Sequence, residues 1–335
     1  MHPETWIEIR PEGPYVVPAD AYIDPTRPVP RAIITHGHAD HARAGHGTVY
    51  ATPETLKIMA VRYGETFTDT RIPLAYGETI EIGGAELCFG PAGHIWGSAQ
   101  AMVEHADKRI VFAGDYKRRE DPTAAPFTPM ACDVFVTEAT FGLPVFRHPP
   151  IEDEIAKLLN SLALQGDRPH LVGAYALGKC QRVIMALRAT GYQKPIYLHG
   201  ALMKLATLYQ ENGFDFGELR PVAGVKRDQL AGEIIMCPPS ALADRWSRRM
   251  GDPVTAMASG WMRVRARARQ RGAELPLIIS DHADWNELCL TLQEMAPADI
   301  WITHGREDAL MHQAERMQIK ARALSLIGYE EDASE

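Results

Sequence analysis

The sequence predicts a mixed α/β protein in two structural parts, and three observations carry that reading. Its first third is a series of short apolar runs closed by turn residues. Its middle alternates amphipathic helix-length segments with short apolar strands. Its last part returns to apolar strands that end in histidine-bearing loops. A chain of 335 residues has room for two domains, or for one large domain carrying an insertion.

Taken in order, Tyr15-Val16-Val17, Ala21-Tyr22-Ile23 and Ala32-Ile33-Ile34 read as strands, the second stopped by Asp24-Pro25. Val49-Tyr50-Ala51 ends at Thr52-Pro53, where Thr52 is a candidate N-cap for a helix from Pro53 to Tyr63. Residues 78–82 and 86–89 flank Gly83-Gly84, a hairpin signal, and 99–104 with 109–112 suggest a further pair. Asp133 to Thr137 is one more buried strand. Helices are predicted over 151–164, 178–190 and 201–212, with strands at 170–173 and 195–198 between them, the pattern of a small parallel α/β domain. Strands at 277–279 and 300–302 lead into Ser280-Asp281-His282 and Thr303-His304-Gly305, and the tail from Glu330 reads as frayed.

The composition, 46% apolar and 23% charged, suits a soluble globular enzyme. No run of about 18 uncharged apolar residues is present, so no membrane partner is expected. The N-terminus lacks the basic and apolar regions of a signal peptide. The five scattered cysteines form no CxxC pair, which disfavours a disulfide framework or a thiolate zinc site and suits a cytoplasmic protein. A net charge of −8 argues against coating nucleic acid by bulk electrostatics, yet residues 244–271 carry eight arginines that could hold a polyanion locally.

The densest chemical signal is Thr35-His36-Gly37-His38-Ala39-Asp40-His41. Imidazole nitrogens and carboxylate oxygens are the donors that zinc and manganese accept. A loop leaving a strand can aim His36 and His38 at one ion while Asp40 and His41 reach a neighbour. Four donors do not complete two ions. Three further strand ends supply the rest: His94 after Gly90-Pro91-Ala92-Gly93, Asp115 after Phe112-Ala113-Gly114, and His304 after Ile302-Thr303.

This succession of HxHxDH, a histidine in a Gly-rich loop, Gly-Asp and a late strand-end histidine resembles the metallo-β-lactamase fold. Thr137-Glu138-Ala139-Thr140, Ser280-Asp281-His282-Ala283-Asp284, Thr303-His304-Gly305 and Ala176-Leu177-Gly178-Lys179-Cys180-Gln181 narrow the resemblance to its β-CASP nucleases. Tyr22-Ile23-Asp24-Pro25, Gly93-His94-Ile95-Trp96-Gly97-Ser98 and Gly114-Asp115-Tyr116-Lys117 are most similar to bacterial exonucleases associated with DNA ligase. The resemblance spans nearly the whole chain.

The fold it implies is a metallo-β-lactamase αββα sandwich with an inserted β-CASP α/β domain. Residues 1–145 and 276–335 would form the core and 146–275 the insertion, which should cover the metal site. The implied activity is two-metal phosphodiester hydrolysis, read first as a DNA exonuclease in repair, acting in a pathway with a DNA ligase and a helicase. The alternative is an RNA-processing ribonuclease, because a histidine at His304 is more typical of RNA-cutting branches. A small-ester hydrolase and a non-catalytic nucleic-acid-binding subunit are weaker rivals.

In this scheme His36, His38 and His94 hold one divalent ion, zinc or manganese. Asp40, His41 and His304 hold a second, and Asp115 bridges them. Asp24 either orients a ligand histidine or closes a turn before Pro25. His282, with Glu138 favouring its imidazolium form, would protonate the leaving oxygen. Gly178 and Lys179 at a helix N-terminus, and Ser259 and Gly260 in a turn, are the candidate phosphate contacts. Trp96 could stack on a base or simply pack.

Overall fold

The computed structural model describes residues 3–305 and 307–324; the tail from Glu330 lies outside them. The chain forms two compact units. One runs from the N-terminus to Val145 and resumes at His282, and the other is Phe146–Asp281.

The first unit opens with β1 (Ile7–Arg10), β2 (Gly13–Val16), β3 (Ala21–Ile23), β4 (Arg31–Ile33), β5 (His46–Ala51), helix α1 (Pro53–Tyr63) and β6 (Thr68–Pro73). Its six strands make one sheet in chain order. Thr52 caps α1 as its sequence suggests, its hydroxyl accepting from the Thr55 N–H at 3.2 Å, with Pro53 opening the helix. A second sheet begins with β7 (Thr79–Ile82), β8 (Ala85–Pro91), β9 (Ala99–His105), β10 (Lys108–Phe112) and β11 (Val134–Ala139).

The chain then builds the second unit. It runs through α2 (Ile151–Leu164), β12 (His170–Gly173), α3 (Lys179–Ala189), β13 (Ile196–Leu198), α4 (Gly200–Glu211) and β14 (Leu219–Pro221). It continues through β15 (Ile234–Cys237), α5 (Arg245–Arg248), β16 (Val254–Ala258), α6 (Arg265–Gln270) and β17 (Leu275–Leu277). All its strand pairs are parallel, in the order β14-β13-β15-β12-β16-β17. Finally α7 (Trp285–Met295), β18 (Asp299–Gly305), α8 (Glu307–Arg316) and β19 (Lys320–Ala323) complete the seven-stranded sheet of the first unit, β19-β18-β11-β10-β9-β8-β7.

The layers of the first unit follow from the two-residue period of strands. Val134 and Val136 of β11, with Ile110 and Phe112 of β10, face a core shared with Val16, Ile23 and Ile33 of the other sheet. Phe135 and Val111, one residue out of step, face Leu288, Leu292 and Leu310 of α7 and α8. On the far side, Val49 and Ala51 pack against Leu56 and Met59 of α1. These three clusters make an αββα sandwich. Strands buried on both faces explain why β10 and β11 read as continuous apolar runs.

One boundary differs from the sequence reading. The insertion, expected to end at 275, includes β17, which pairs in parallel with β16 through Ala258 and Leu277. A three-residue apolar run does not reveal which sheet it joins. Two central strands of that sheet, β15 and β16, also went unread, since runs of four and five residues between turns carry little periodic signal.

Candidate metal centre and its acid–base pair

The chemistry-bearing residues of the first unit collect at the carboxyl ends of its strands. Asp24 follows β3, the His36–His41 loop follows β4, His94 follows β8 and Asp115 follows β10. Glu138 lies near the end of β11 and His304 near the end of β18, two neighbouring parallel strands. In an α/β sheet this edge is where loops can converge on a ligand while the strands stay rigid.

The strongest convergence is His36, His38, His94 and Asp115, whose ligand atoms all lie within 4.8 Å of one another. His38 Nδ1 is 3.1 Å from His36 Nε2 and 3.0 Å from His94 Nε2. Asp115 Oδ2 is 3.4 Å from His36 Nε2 and 3.8 Å from His94 Nε2. Donors held about 2.0–2.2 Å from one ion in a tetrahedron are separated by about 3.3–3.6 Å, so the spacings suit one divalent ion.

The second expected set is looser. His41 Nε2 is 3.5 Å from both Asp40 Oδ2 and Asp115 Oδ2, while His304 Nε2 is 3.4 Å from Asp115 Oδ1. Asp115 therefore turns Oδ2 toward His36, His94 and His41, and Oδ1 toward His304. Among the described residues its Oδ1 is buried without a hydrogen-bond partner, an arrangement a cation would satisfy.

Tautomers are set from behind the site. Asp24, in a left-handed conformation at φ 42°, accepts the Thr35 N–H at 2.7 Å and the Thr35 hydroxyl at 2.6 Å. With its proton given to Asp24, the Thr35 oxygen is left to accept from His36 Nδ1 at 3.1 Å. His41 Nδ1 donates to the same carboxylate at 2.9 Å. Both rings thus turn Nε2 toward the site. Of the two sequence readings for Asp24, the orienting one matches its contacts. Thr303 repeats the device: its hydroxyl donates to the Thr137 carbonyl at 3.3 Å and accepts from His304 Nδ1 at 2.9 Å.

The field of the site favours positive charge. Burial opposes protonation of His41, yet Asp115, Asp40 and Asp24 raise its pKa well above the ordinary value. Burial likewise opposes ionisation of Asp115, yet His41 and His282 hold its carboxyl well below the usual range. His36 is depressed to about 4 by burial and by His41, so it stays neutral as a ligand must.

Glu138 and His282 meet beside these donors. His282 Nδ1 is 3.0 Å from Glu138 Oε2 and 4.0 Å from Asp115 Oδ2, and its ring centroid is 4.7 Å from that of His94. Glu138 is fixed by the Tyr116 N–H at 2.9 Å and the Thr140 hydroxyl at 2.5 Å. His282 is held in turn by Lys117, a buried side chain whose Nζ donates to the His282 carbonyl at 3.2 Å and lies 3.6 Å from Glu287. Asp284 and Glu287 form a capping box at the start of α7. Asp284 also pairs with Arg119 at 2.7 Å, and Glu287 accepts the Arg118 and Arg119 N–H groups. The positioning roles of Thr35, Thr303 and Lys117, and this cap, do not follow from the sequence reading. Only the cap had a legible signal, the Asp-x-x-Glu spacing.

The candidate phosphate contacts lie in the second unit. Gly178, at φ 81°, precedes α3, and the buried Lys179 Nζ is 3.0 Å from Asp281 Oδ1, so its charge is already balanced. Ser259, also buried, accepts the Trp261 N–H at 3.3 Å and closes the turn containing Gly260. In the first unit Trp96 is half-buried, with Lys57 Nζ 5.7 Å from its ring centre.

No family model matches the sequence. Among curated proteins, a probable DNA ligase of Opitutus terrae is 28% identical over 88% of this chain and 28% of its own length. Cleavage and polyadenylation specificity factor subunit 3-I of Arabidopsis thaliana is 24% identical over 88% of this chain and 54% of its own. Ribonuclease TTHA0252 of Thermus thermophilus is 28% identical over 54% of this chain and 49% of its own. The chain thus spans from about a quarter to about half the length of these relatives. A solved structure from Enterococcus faecalis, of unknown function, superposes with a TM-score of 0.58 at 14% identity, covering 88% of this chain and 79% of that one. With the αββα sandwich and its interrupted chain path, these matches agree with the resemblance of the sequence to the β-CASP nucleases of the metallo-β-lactamase fold.

Proposed function

We propose that this protein is a metal-dependent nuclease that hydrolyses phosphodiester bonds, and read it first as a DNA exonuclease of repair. The observation that carries the reading is the Glu138–His282 pair, 3.0 Å apart, set against a cluster of cation-binding donors. Simple hydrolysis of an activated ester needs no such acid, whereas expelling a sugar alkoxide does.

Two divalent ions, zinc or manganese, would lower the pKa of water from 15.7 toward about 7 and neutralise the phosphate. His36, His38 and His94 would hold one, Asp40, His41 and His304 the other, and Asp115 both. Asp40, the least buried of these carboxylates with a third of its side chain exposed, would orient the attacking water and accept its proton. His282, with Nδ1 engaged by Glu138, would deliver a proton from Nε2 to the departing oxygen. Gly178, Lys179, Ser259 and Gly260 would shape the backbone that receives the strand, with Asp281 setting the position of Lys179.

The ligase-named relative, matching 88% of this chain, supports DNA and work beside a ligase. His304 and the relatives named for RNA cleavage support the ribonuclease alternative. A reducing cytoplasm suits five free cysteines, and no helix among the described residues is long and apolar enough to cross a membrane. End-labelled single-stranded DNA and RNA, incubated with manganese, zinc or chelator, test the reading. Metal-dependent shortening of DNA from one end is expected. Cleavage of RNA alone would replace the first reading with the second, and cleavage of neither would end both.

A further inference from the structure

The arginines of residues 244–271 are gathered by the topology of the second unit. The connection from β15 to β16 passes β12 and carries α5, and the connection from β16 to β17 carries α6. Both steps run in the same direction across an all-parallel sheet, so right-handed crossovers put them on the same face. Leu242, just before α5, confirms this by packing into both clusters, one with Met250 and Trp246, the other with Met257 and Met262. A Cβ on Gly173 of β12 would fall 2.6 Å from Leu242 Cδ1, which shows how closely this layer lies on the strands.

Such thin connections expose their outer sides. Arg245, Arg248, Arg249, Arg265 and Arg269 are all exposed, and none has a carboxylate partner among the described residues. The nearby acids are otherwise engaged: Asp244 caps α5, while Asp252 and Glu274 both pair with Arg168. Arg267 sits over Trp261, its Cζ 3.8 Å from the ring centre, and leaves Arg265 and Arg269 one helical turn apart on the outward side. No lysine occurs in the stretch. Guanidinium forks bind phosphate oxygens in pairs, which an ammonium group does not do.

We infer that this face of the second unit is a sequence-independent docking surface for the phosphate backbone of a nucleic-acid strand; this rests on the nuclease reading and adds to it a holding site. A chain of net charge −8 repels a polyanion in bulk, so holding a strand calls for a local cationic face.

The test is fluorescence anisotropy of labelled 20-mer DNA and RNA with the full chain in chelator across a salt series, with cleavage in manganese measured separately. The variants are R245Q/R248Q/R249Q and R265Q/R269Q. Affinity is expected to fall at least tenfold in each. The slope of log affinity against log salt should become shallower by about 0.7 for every phosphate that the variant no longer neutralises. Melting temperature and turnover of bis(p-nitrophenyl) phosphate should not change, which separates loss of docking from loss of fold. Unchanged affinity and slope would overturn the inference, as would failure of the wild type to bind at low salt; a surface made for an acidic protein gives the first of these results. Intact binding without any cleavage would sink the nuclease reading and leave the docking surface standing.

Discussion

Asp24 touches Thr35 twice and His41 once, so it controls the ring orientation of two ligand candidates. D24N keeps the size and removes the charge. Metal affinity, read by competition with a chromophoric chelator, should fall about 10- to 100-fold; unchanged affinity would reduce Asp24 to a turn residue. His282 has a different signature. H282A and E138Q should each lower kcat on oligonucleotides by about 10²–10⁴-fold. Both should largely spare a p-nitrophenyl diester, whose leaving group needs no proton, and equal losses on both substrates would remove the acid role. The HxHxDH run was legible because few other uses demand three histidines and an aspartate so close together. Thr35 and Lys117 were not, because the first acts through its neighbours and the second through a carbonyl 165 residues away.

Among the elements, the end of β10 is tightly fitted. Gly114 sits at φ 57°, and a Cβ there would lie 2.6 Å from the Thr35 hydroxyl oxygen that orients His36. G114A should cost about 1–3 kcal/mol in urea unfolding and weaken metal binding together, through strain at positive φ and displacement of Thr35. At the start of β5, burial depresses the pKa of His46 to about 4, and its Nδ1 accepts the Val29 N–H at 3.2 Å. The unfolded chain takes up this proton first, near pH 6.5. The stabilisation is therefore complete above that pH and is lost as pH falls toward 4, by roughly 2 kcal/mol. H46N, which keeps an acceptor, should show a smaller stability loss between pH 7 and 4.5 than the wild type. Helix α2 and strand β12 were legible from periodicity and flanking turns. Strand β6, Thr68–Pro73, was not, since its stretch is largely polar and its place is an edge of the sheet.

At the level of the whole molecule, every proposed metal donor belongs to the unit that the chain leaves at Val145 and re-enters at His282. Saturating metal at 100 times its dissociation constant should stabilise that unit by about 2.7 kcal/mol. Hydrogen exchange should slow in β11 and β18 while β12 and β16 keep their rates; equal slowing in both sheets would show that metal acts beyond its own unit. The two-part architecture was legible from the change in pattern near residue 149. The allegiance of β17 was not, because partner choice depends on the sheet and not on the three residues themselves.

The order in which the polypeptide is made gives that excursion a meaning in time. His36, His38, His94 and Asp115 leave the ribosome early, whereas His282 and His304 are still to be synthesised. At 5–20 residues per second the wait between Val145 and His304 is roughly ten to thirty seconds. During that interval a nascent chain could gather a first ion but would lack the proposed proton donor and the proposed last ligand. On the nuclease reading the site would thus be disarmed while the chain is being built, and armed only when α7 and β18 close the sheet.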